Sequence, residues 1–243
     1  MSCDGVCITI DMDWAHDDVL RYTLQDLIRR NLTATWFVTH DTPLIREIRD
    51  AGHELGLHPN FNHLLETGDG NGNGCAVDIL LHLLAIAPQA KCVRSHSLFQ
   101  SSRLAILFAD HGLSHDANTY LPFEQVGLVS PWRGPAGLVH VPHGWEDDIF
   151  ILGGRPAPRD ALALDGVFVL DFHPIHFFLN SRNDDDYNAC RGHWDDVGFL
   201  AGYARKRGTG GVADQLRELF DDQIEQGVEC VRLVDLRPQK VRQ

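Results

Sequence analysis

No stretch of this sequence reaches the roughly 18 consecutive apolar residues of a membrane span. Its six cysteines (Cys3, Cys7, Cys75, Cys92, Cys190 and Cys230) are scattered over 243 residues without a C-x-x-C pair. They read as reduced thiols of a cytoplasmic protein rather than a disulfide framework, with a local metal or redox role for Cys3 and Cys7 as the lesser alternative. The first residues lack both the basic and the apolar region of a secretory signal, which adds to the expectation of a cytoplasmic location. Cationic residues are scarce: Lys and Arg number 21 against 34 Asp and Glu, for a net charge of −13. Such a chain repels phosphate backbones, and no basic patch offsets this, so nucleic acid is not an expected partner. No G-x-G-x-x-G follows the first strand, which argues against a dinucleotide-binding open sheet.

What is present is a 44% hydrophobic content, sufficient for a full core, and 14 histidines, more than the Phe, Tyr or Trp taken singly. The most telling stretch is Ile8-Thr9-Ile10-Asp11-Met12-Asp13. On a strand, Thr9, Asp11 and Asp13 share one face while Ile8, Ile10 and Met12 share the other. Two co-facing acids ending an apolar strand are costly unless a cation, an arginine or a reaction engages them.

The chain then alternates. An amphipathic helix runs from Asp17 to Asn31, with Leu20, Leu24, Leu27 and Ile28 inward. A strand covers 34–39, and a helix capped by Asp41 or Thr42, with Pro43 in its first turn, ends at Gly52. A strand at 54–58 follows. Residues 67–74 form a glycine-rich loop whose Asp69-Gly70-Asn71-Gly72-Asn73-Gly74 matches half a calcium loop. The twelfth position is Leu80 rather than Glu, so calcium is not expected. Further elements are a helix at 77–87, a strand at 91–95, a helix at 102–110, strands at 113–116, 138–141 and 167–172, a helix at 212–226 and a strand at 229–236. Residues 120–137 are irregular, and 183–188, with Asp184, Asp185 and Asp186, form a polar loop. The pattern predicts a single α/β domain over 1–243, a distorted (β/α) barrel of seven or eight parallel strands.

Strand after strand ends in Asp or His: Asp13, His58, His96, Asp116, His140 with His143, and His173. In a parallel barrel these ends lie on one face, where active sites sit. Each such histidine alone is commonly a packed or surface residue; their recurrence on successive strand ends points to a shared site. A donor set of Asp and His without thiolates suits Zn²⁺ first, with Ni, Co or Fe as alternatives. Water on such an ion is a nucleophile near neutral pH, so one aspartate can be a ligand and the other a base. His53 reads as a local cap, and His16, His82, His111 and His193 as surface residues.

Three stretches, Thr9–Asp13, Ala34–Val38 and Leu44–His58 with its Ala51-Gly52-His53-Glu54-Leu55-Gly56, resemble the NodB-homology polysaccharide deacetylases, carbohydrate esterase family 4. The resemblance implies a distorted barrel and metal-dependent removal of an acetyl group from a sugar. It makes Asp11 the base, Asp13 and His58 metal ligands, Arg94 the residue orienting the base, and His173 the acid. It also places Trp145-Glu146-Asp147-Asp148 in a substrate-cleft loop. The family's second histidine falls on Asn62 here, so the third ligand is His96 or, alternatively, His63. His176 can share the role of His173 or bind substrate with Asn60, Trp145 and Glu146. His58-Pro59-Asn60-Phe61 and Arg94-Ser95-His96-Ser97 are most similar to a divergent branch associated with surface-polysaccharide and O-antigen loci. The expected substrate is an N-acetylated sugar, free, nucleotide- or lipid-linked, or polymeric. The alternatives are hydrolysis of a non-sugar C–N bond on the same fold, or a non-catalytic sugar-binding domain.

Overall fold

Nine residues, Cys3–Asp11, form strand β1, buried everywhere except at Asp4. The computed structural model describes residues 3–13, 15–67, 75–153, 156–206 and 208–238, so the glycine-rich stretch and its half calcium motif lie outside the described residues from Gly68 on. After β1 come α1 (Asp17–Arg29), β2 (Thr35–Val38), α2 (Leu44–Asp50), β3 (Glu54–Leu57), α3 (Asn62–Thr67), α4 (Ala76–Ile86) and β4 (Cys92–Val93). Next are α5 (Ser102–Asp110), β5 (His115–Asp116), α6 (Phe123–Val126), β6 (Trp132–Arg133), β7 (Val139–His140), β8 (Trp145–Glu146) and α7 (Asp147–Ile151). β9 (Gly166–Phe172), α8 (Pro174–Leu179), α9 (Asp184–Asn188), α10 (Val197–Ala204) and α11 (Val212–Glu225) complete the order.

Local chemistry explains the element ends. His16 caps α1 by accepting the Asp18 N–H on Nδ1, and Leu20, Leu24 and Leu27 are buried as the periodicity predicts. Ile28, expected to point inward, is instead 50% exposed. The Thr42 hydroxyl accepts the Leu44 N–H and donates to Asp17, tying the start of α2 to α1. Gly52 follows α2 with φ +88°, a conformation only glycine takes without strain.

The strands form one sheet in the order β6-β7-β5-β4-β3-β2-β1-β9-β8, parallel except for the β6–β7 pair. Thr9 of β1 lies opposite Thr35 of β2 on one side and Asp171 of β9 on the other. β7 and β8 stand near opposite ends of this order yet are joined by Val141–Gly144 alone. Val141 donates its N–H to Asp116 at 2.8 Å and Gly144 to Val169 at 2.8 Å, so this short segment spans the gap and curls the sheet toward a barrel. Inside lie Cys7, Phe37, Cys92, Ala117, Val139, Val141 and Val169, packed with Leu233 and Leu236. The other sheet face and the helices share the larger core.

The expected α/β barrel architecture is present as a curled sheet with nine strands among the described residues rather than seven or eight. Several segments differ from the sequence-based expectation, among them residues 120–137, expected to be irregular, which hold α6 and β6. The final strand is absent: one bridge joins Cys230 to Val6, and the chain then turns through a 3-10 segment, Leu233–Asp235, that carries Leu233 and Leu236 into the barrel interior. The acidic stretch 183–188 is helix α9, because Asn183 accepts the Asp186 N–H and three acids sit at the favourable end of the helix dipole. The expected cleft loop at Trp145–Asp148 is β8 and the first turn of α7.

Candidate active site

The innermost layer forms around Arg94, just past β4 and wholly buried. Its Nη1 donates to Asp11 Oδ1 at 3.1 Å and to Asp171, Nη2 to Thr9 Oγ1 at 2.9 Å, and Nε to the Ala117 carbonyl at 3.2 Å. The guanidinium also lies 4.6 Å over the Phe37 ring. Thr9 and Asp11 reach one arginine because strand alternation puts them on the same face. Burial pushes the Asp171 carboxyl up to about 6 against the pull of Arg94.

Asp13 stands two residues past β1. Its Oδ2 is 3.0 Å from His58 Nε2 and 2.7 Å from His96 Nδ1, and the two imidazoles meet at 82°. Burial disfavours the Asp13 carboxylate, but the His58 charge and the bonds to both histidines outweigh it and hold the group well below the usual range. For His58, burial lowers the pKa while Asp11 and Asp13 together raise it above the ordinary value. His58 Nδ1 is 3.5 Å from Asp11 Oδ2 and has no hydrogen-bond partner among the described residues. The donor atoms of Asp13, His58 and His96 lie within 4.8 Å of one another, a carboxylate and two imidazoles gathered as a divalent ion requires. His63, on α3, is not a member of that set.

The facing wall comes from β8, α7 and the end of β9. Asp147 fixes His173 twice: Oδ1 is 2.9 Å from Nδ1, and Oδ2 accepts the His173 backbone N–H at 2.7 Å. Burial alone would lower the His173 pKa, but Asp147 and Asp148 raise it well above the ordinary value. Asp148 takes His176 Nε2 at 3.0 Å, and His176 Nδ1 meets Ser181 Oγ at 3.0 Å. Burial opposes ionisation of Asp148, yet the His173 charge and the His176 bond hold it at about 2. Burial lifts Glu146, 3.3 Å from His143 Nε2, to about 7.

A cavity of about 160 Å³ separates the two walls; Asp11, Asp13, His58, His96, Glu146, Asp148 and His173 face it, as do Ser97 and Leu98. Ser97 and Leu98 hold φ values of +56° and +54°, a strained pair directly after His96. An open cleft of about 480 Å³ adjoins on the Asp13 and His58 side and includes Asn60.

Of the residues expected from sequence, Asp11, Asp13, His58, His96, Glu146 and His173 thus meet at one cavity, with Arg94 behind Asp11. Trp145 is corrected: it is 2% exposed, packs near Phe150 and belongs to the core, because β8 turns it away from the cleft. His176 is also buried, both ring nitrogens engaged behind Asp148. Asp171, Asp147 and Asp148 carry roles the sequence reading did not assign. Asp171-Phe172-His173 repeats the spacing of Asp11-Met12-Asp13 on the neighbouring strand, and that was an available signal.

Residues 8–191 match the model of the WbmS-like polysaccharide deacetylases. The solved structure of WbmS from Bordetella bronchiseptica, described as that of a polysaccharide deacetylase involved in O-antigen biosynthesis, is 33% identical over 91% of each chain, with a TM-score of 0.82. The polysaccharide deacetylase Bc1974 of Bacillus cereus shares the fold at 13% identity and a TM-score of 0.51, over 97% of this chain and 95% of that one. The Bc1960 peptidoglycan N-acetylglucosamine deacetylase does so at 14% identity and 0.50, over 99% and 91%. No curated protein sequence matches the chain. With its fold, its strand-end constellation and the match over most of its length in agreement, the chain belongs to the WbmS-like polysaccharide deacetylase family.

Proposed function

We propose that the protein is a metal-dependent deacetylase that hydrolyses the acetamido group of a sugar during surface-polysaccharide, specifically O-antigen, biosynthesis. One observation carries the reading: across a single cavity, an Asp–His–His donor set and an arginine-paired carboxylate face a histidine braced by two aspartates. Asp13, His58 and His96 would hold the ion, Zn²⁺ being the best match to these donors. When bound it polarises the amide carbonyl and acidifies water. Asp11 takes the proton of the attacking water, and the Arg94 hydrogen bond fixes the direction of this carboxylate. His173, kept cationic by Asp147 and Asp148, delivers a proton to the departing amide nitrogen, which would otherwise leave as a strongly basic anion. Glu146 and, in the adjoining cleft, Asn60 face the sugar. Six scattered cysteines without a C-x-x-C pair fit action in a reducing cytoplasm.

The test is metal analysis of the purified protein together with acetate release from N-acetylglucosamine and its oligomers, with and without chelator. About one ion per chain, and acetate release lost on chelation and restored by Zn²⁺, is the expected result. A protein that retains its ion yet frees no acetate from any N-acetyl sugar would redirect the reading to another C–N bond.

A further inference from the structure

Asp116 ends β5 as the strand-end pattern requires, yet neither it nor Asn118 two residues on lines the cavity or the adjoining cleft. Both are buried, and they form a hydrogen-bonded pair behind the metal wall. Asp116 Oδ1 accepts the Asn118 backbone N–H and its side-chain amide N–H, each at 2.9 Å. With its nitrogen so engaged, the amide presents Oδ1 to the Ser95 backbone N–H, which donates at 2.6 Å. The Asn118 backbone carbonyl accepts Gln100 Nε2 at 3.0 Å. One residue thus grips both ends of segment 95–100, whose second member is the ligand His96.

The segment needs such a grip. Ser97 and Leu98 are both left-handed, and residues other than glycine keep that conformation only where their surroundings over-determine it. Pro59 and Asn62 add ties from the other side, the first accepting the His96 N–H and the second donating to the Ser97 hydroxyl. Next to Asn118, the Ala117 carbonyl accepts Arg94 Nε at 3.2 Å. The end of β5 therefore registers the arginine that aims the base and the loop that carries the third ligand. Within that loop, His96 Nδ1 stands 2.7 Å from Asp13 Oδ2. A ligand whose backbone is already fixed loses less freedom when an ion binds, so the residues that fix it strengthen binding without touching the ion.

We propose that Asn118, braced by Asp116, is a positioning residue for the metal site, holding segment 95–100 so that His96 is preorganised for a divalent ion. This rests on the metal-dependent reading above. The test measures Zn²⁺ and Co²⁺ affinity of the folded protein by competition with a chelating dye, the visible absorption of the Co²⁺ form, and denaturant stability. Asn118→Ala, which leaves the Ser95 N–H without its acceptor, should lose about tenfold in affinity and alter the Co²⁺ bands as the His96 ring loses its fixed direction. Gln100→Ala removes the other arm from an exposed position. It should lose about threefold in affinity, the worth of one partly buried hydrogen bond, and it decides the matter should Asn118→Ala not fold. Thr42→Ala cuts the tie between α1 and α2 and should lower stability while leaving affinity and spectrum as in the wild type. Wild-type affinity and spectrum in Asn118→Ala, or in Gln100→Ala where the former does not fold, overturn the proposal and leave the metal site standing. So does an affinity loss in Thr42→Ala equal to that in Asn118→Ala, because affinity would then follow stability alone. A wild type that binds neither ion overturns both the proposal and the metal-dependent reading.

Discussion

The cavity has two walls built from the same two residue types in opposite proportions. On one, a single carboxylate, Asp13, faces two imidazoles, His58 and His96; on the other, two carboxylates, Asp147 and Asp148, face one imidazole, His173. In both sets the donor atoms lie within 4.8 Å of each other, so distance alone would allow an ion at either. Charge separates them. A protonated His173 already supplies the cation between two acids, and its Nδ1 and backbone N–H are both bound by Asp147. The Asp13 wall has an excess of imidazole, and its carboxylate must share one oxygen between two rings that a divalent ion would satisfy together. On this reading the first wall holds the metal and the second holds the proton.

The sharpest break of that division is by loss of ligands. His58→Ala and His96→Ala should each abolish stoichiometric metal binding, and His63→Ala should leave it, as read by metal analysis after dialysis. Greater loss in His63→Ala than in His96→Ala would move the third ligand to α3. Asp11→Asn should keep its metal and lose turnover by about 10²–10⁴-fold, the usual contribution of a positioned acid or base. Equal metal loss in Asp11→Asn and Asp13→Asn would make the pair one ligand set and put the base elsewhere.

Stability tests the layer beneath both walls. Arg94→Ala leaves Asp11 and Asp171 buried without their shared cation, and breaking a buried pair in this way costs on the order of 3–5 kcal/mol. Denaturant unfolding should show it, and a loss under about 1 kcal/mol would mean that water replaces the guanidinium.

On the proton side, Asp147→Asn removes the main influence raising the His173 pKa. The alkaline limb of the pH–rate profile should move to lower pH, with kcat down by about 10²-fold. The stability linkage has the same sign: a raised histidine pKa contributes fully below about 6.5, and that contribution fades as pH rises through the folded value. The wild type should therefore lose more stability than Asp147→Asn between neutral and alkaline pH. Coincident pH profiles for the two proteins would assign the proton to another group.

The strands and the strand-end residues were readable from sequence because both rest on short-range rules: alternation puts Thr9 and Asp11 on Arg94, and periodicity buries Leu20, Leu24 and Leu27. What was not readable depends on distant partners. Trp145 looks like a cleft residue next to three acids, yet β8 pairs with β9 and turns the indole into the core. The 229–236 run has strand composition, but its apolar residues fill the barrel interior from a 3-10 turn rather than joining the sheet. The acids of α9 read as a solvated tip because the cap that makes them helical is a single side chain, Asn183. The sequence reading preferred His96 to His63, and the chain path that brings His96 to Asp13 runs past Pro59, whose carbonyl accepts the His96 N–H.

The smallest expected effect lies at the hinge between the metal wall and α5. Ser97 and Leu98 are consecutive left-handed residues, neither of them glycine, and each such conformation costs on the order of 1 kcal/mol. The strain is held by short backbone bonds, Leu98 N–H to Ser95 and Phe99 N–H to His96, and by Asn62 donating to the Ser97 hydroxyl at 3.1 Å. Ser97→Gly relieves the φ penalty but loses the Asn62 bond and loosens the chain beside His96. Its thermal midpoint should rise by a few degrees or less, for a net gain under about 1 kcal/mol, while metal affinity falls as His96 gains freedom. A variant that gains stability with unchanged metal affinity would show that the strained turn shapes the cavity wall without aiming the ligand. A variant that loses stability would show that the Asn62–Ser97 contact, rather than the left-handed backbone, dominates the energetics of this turn.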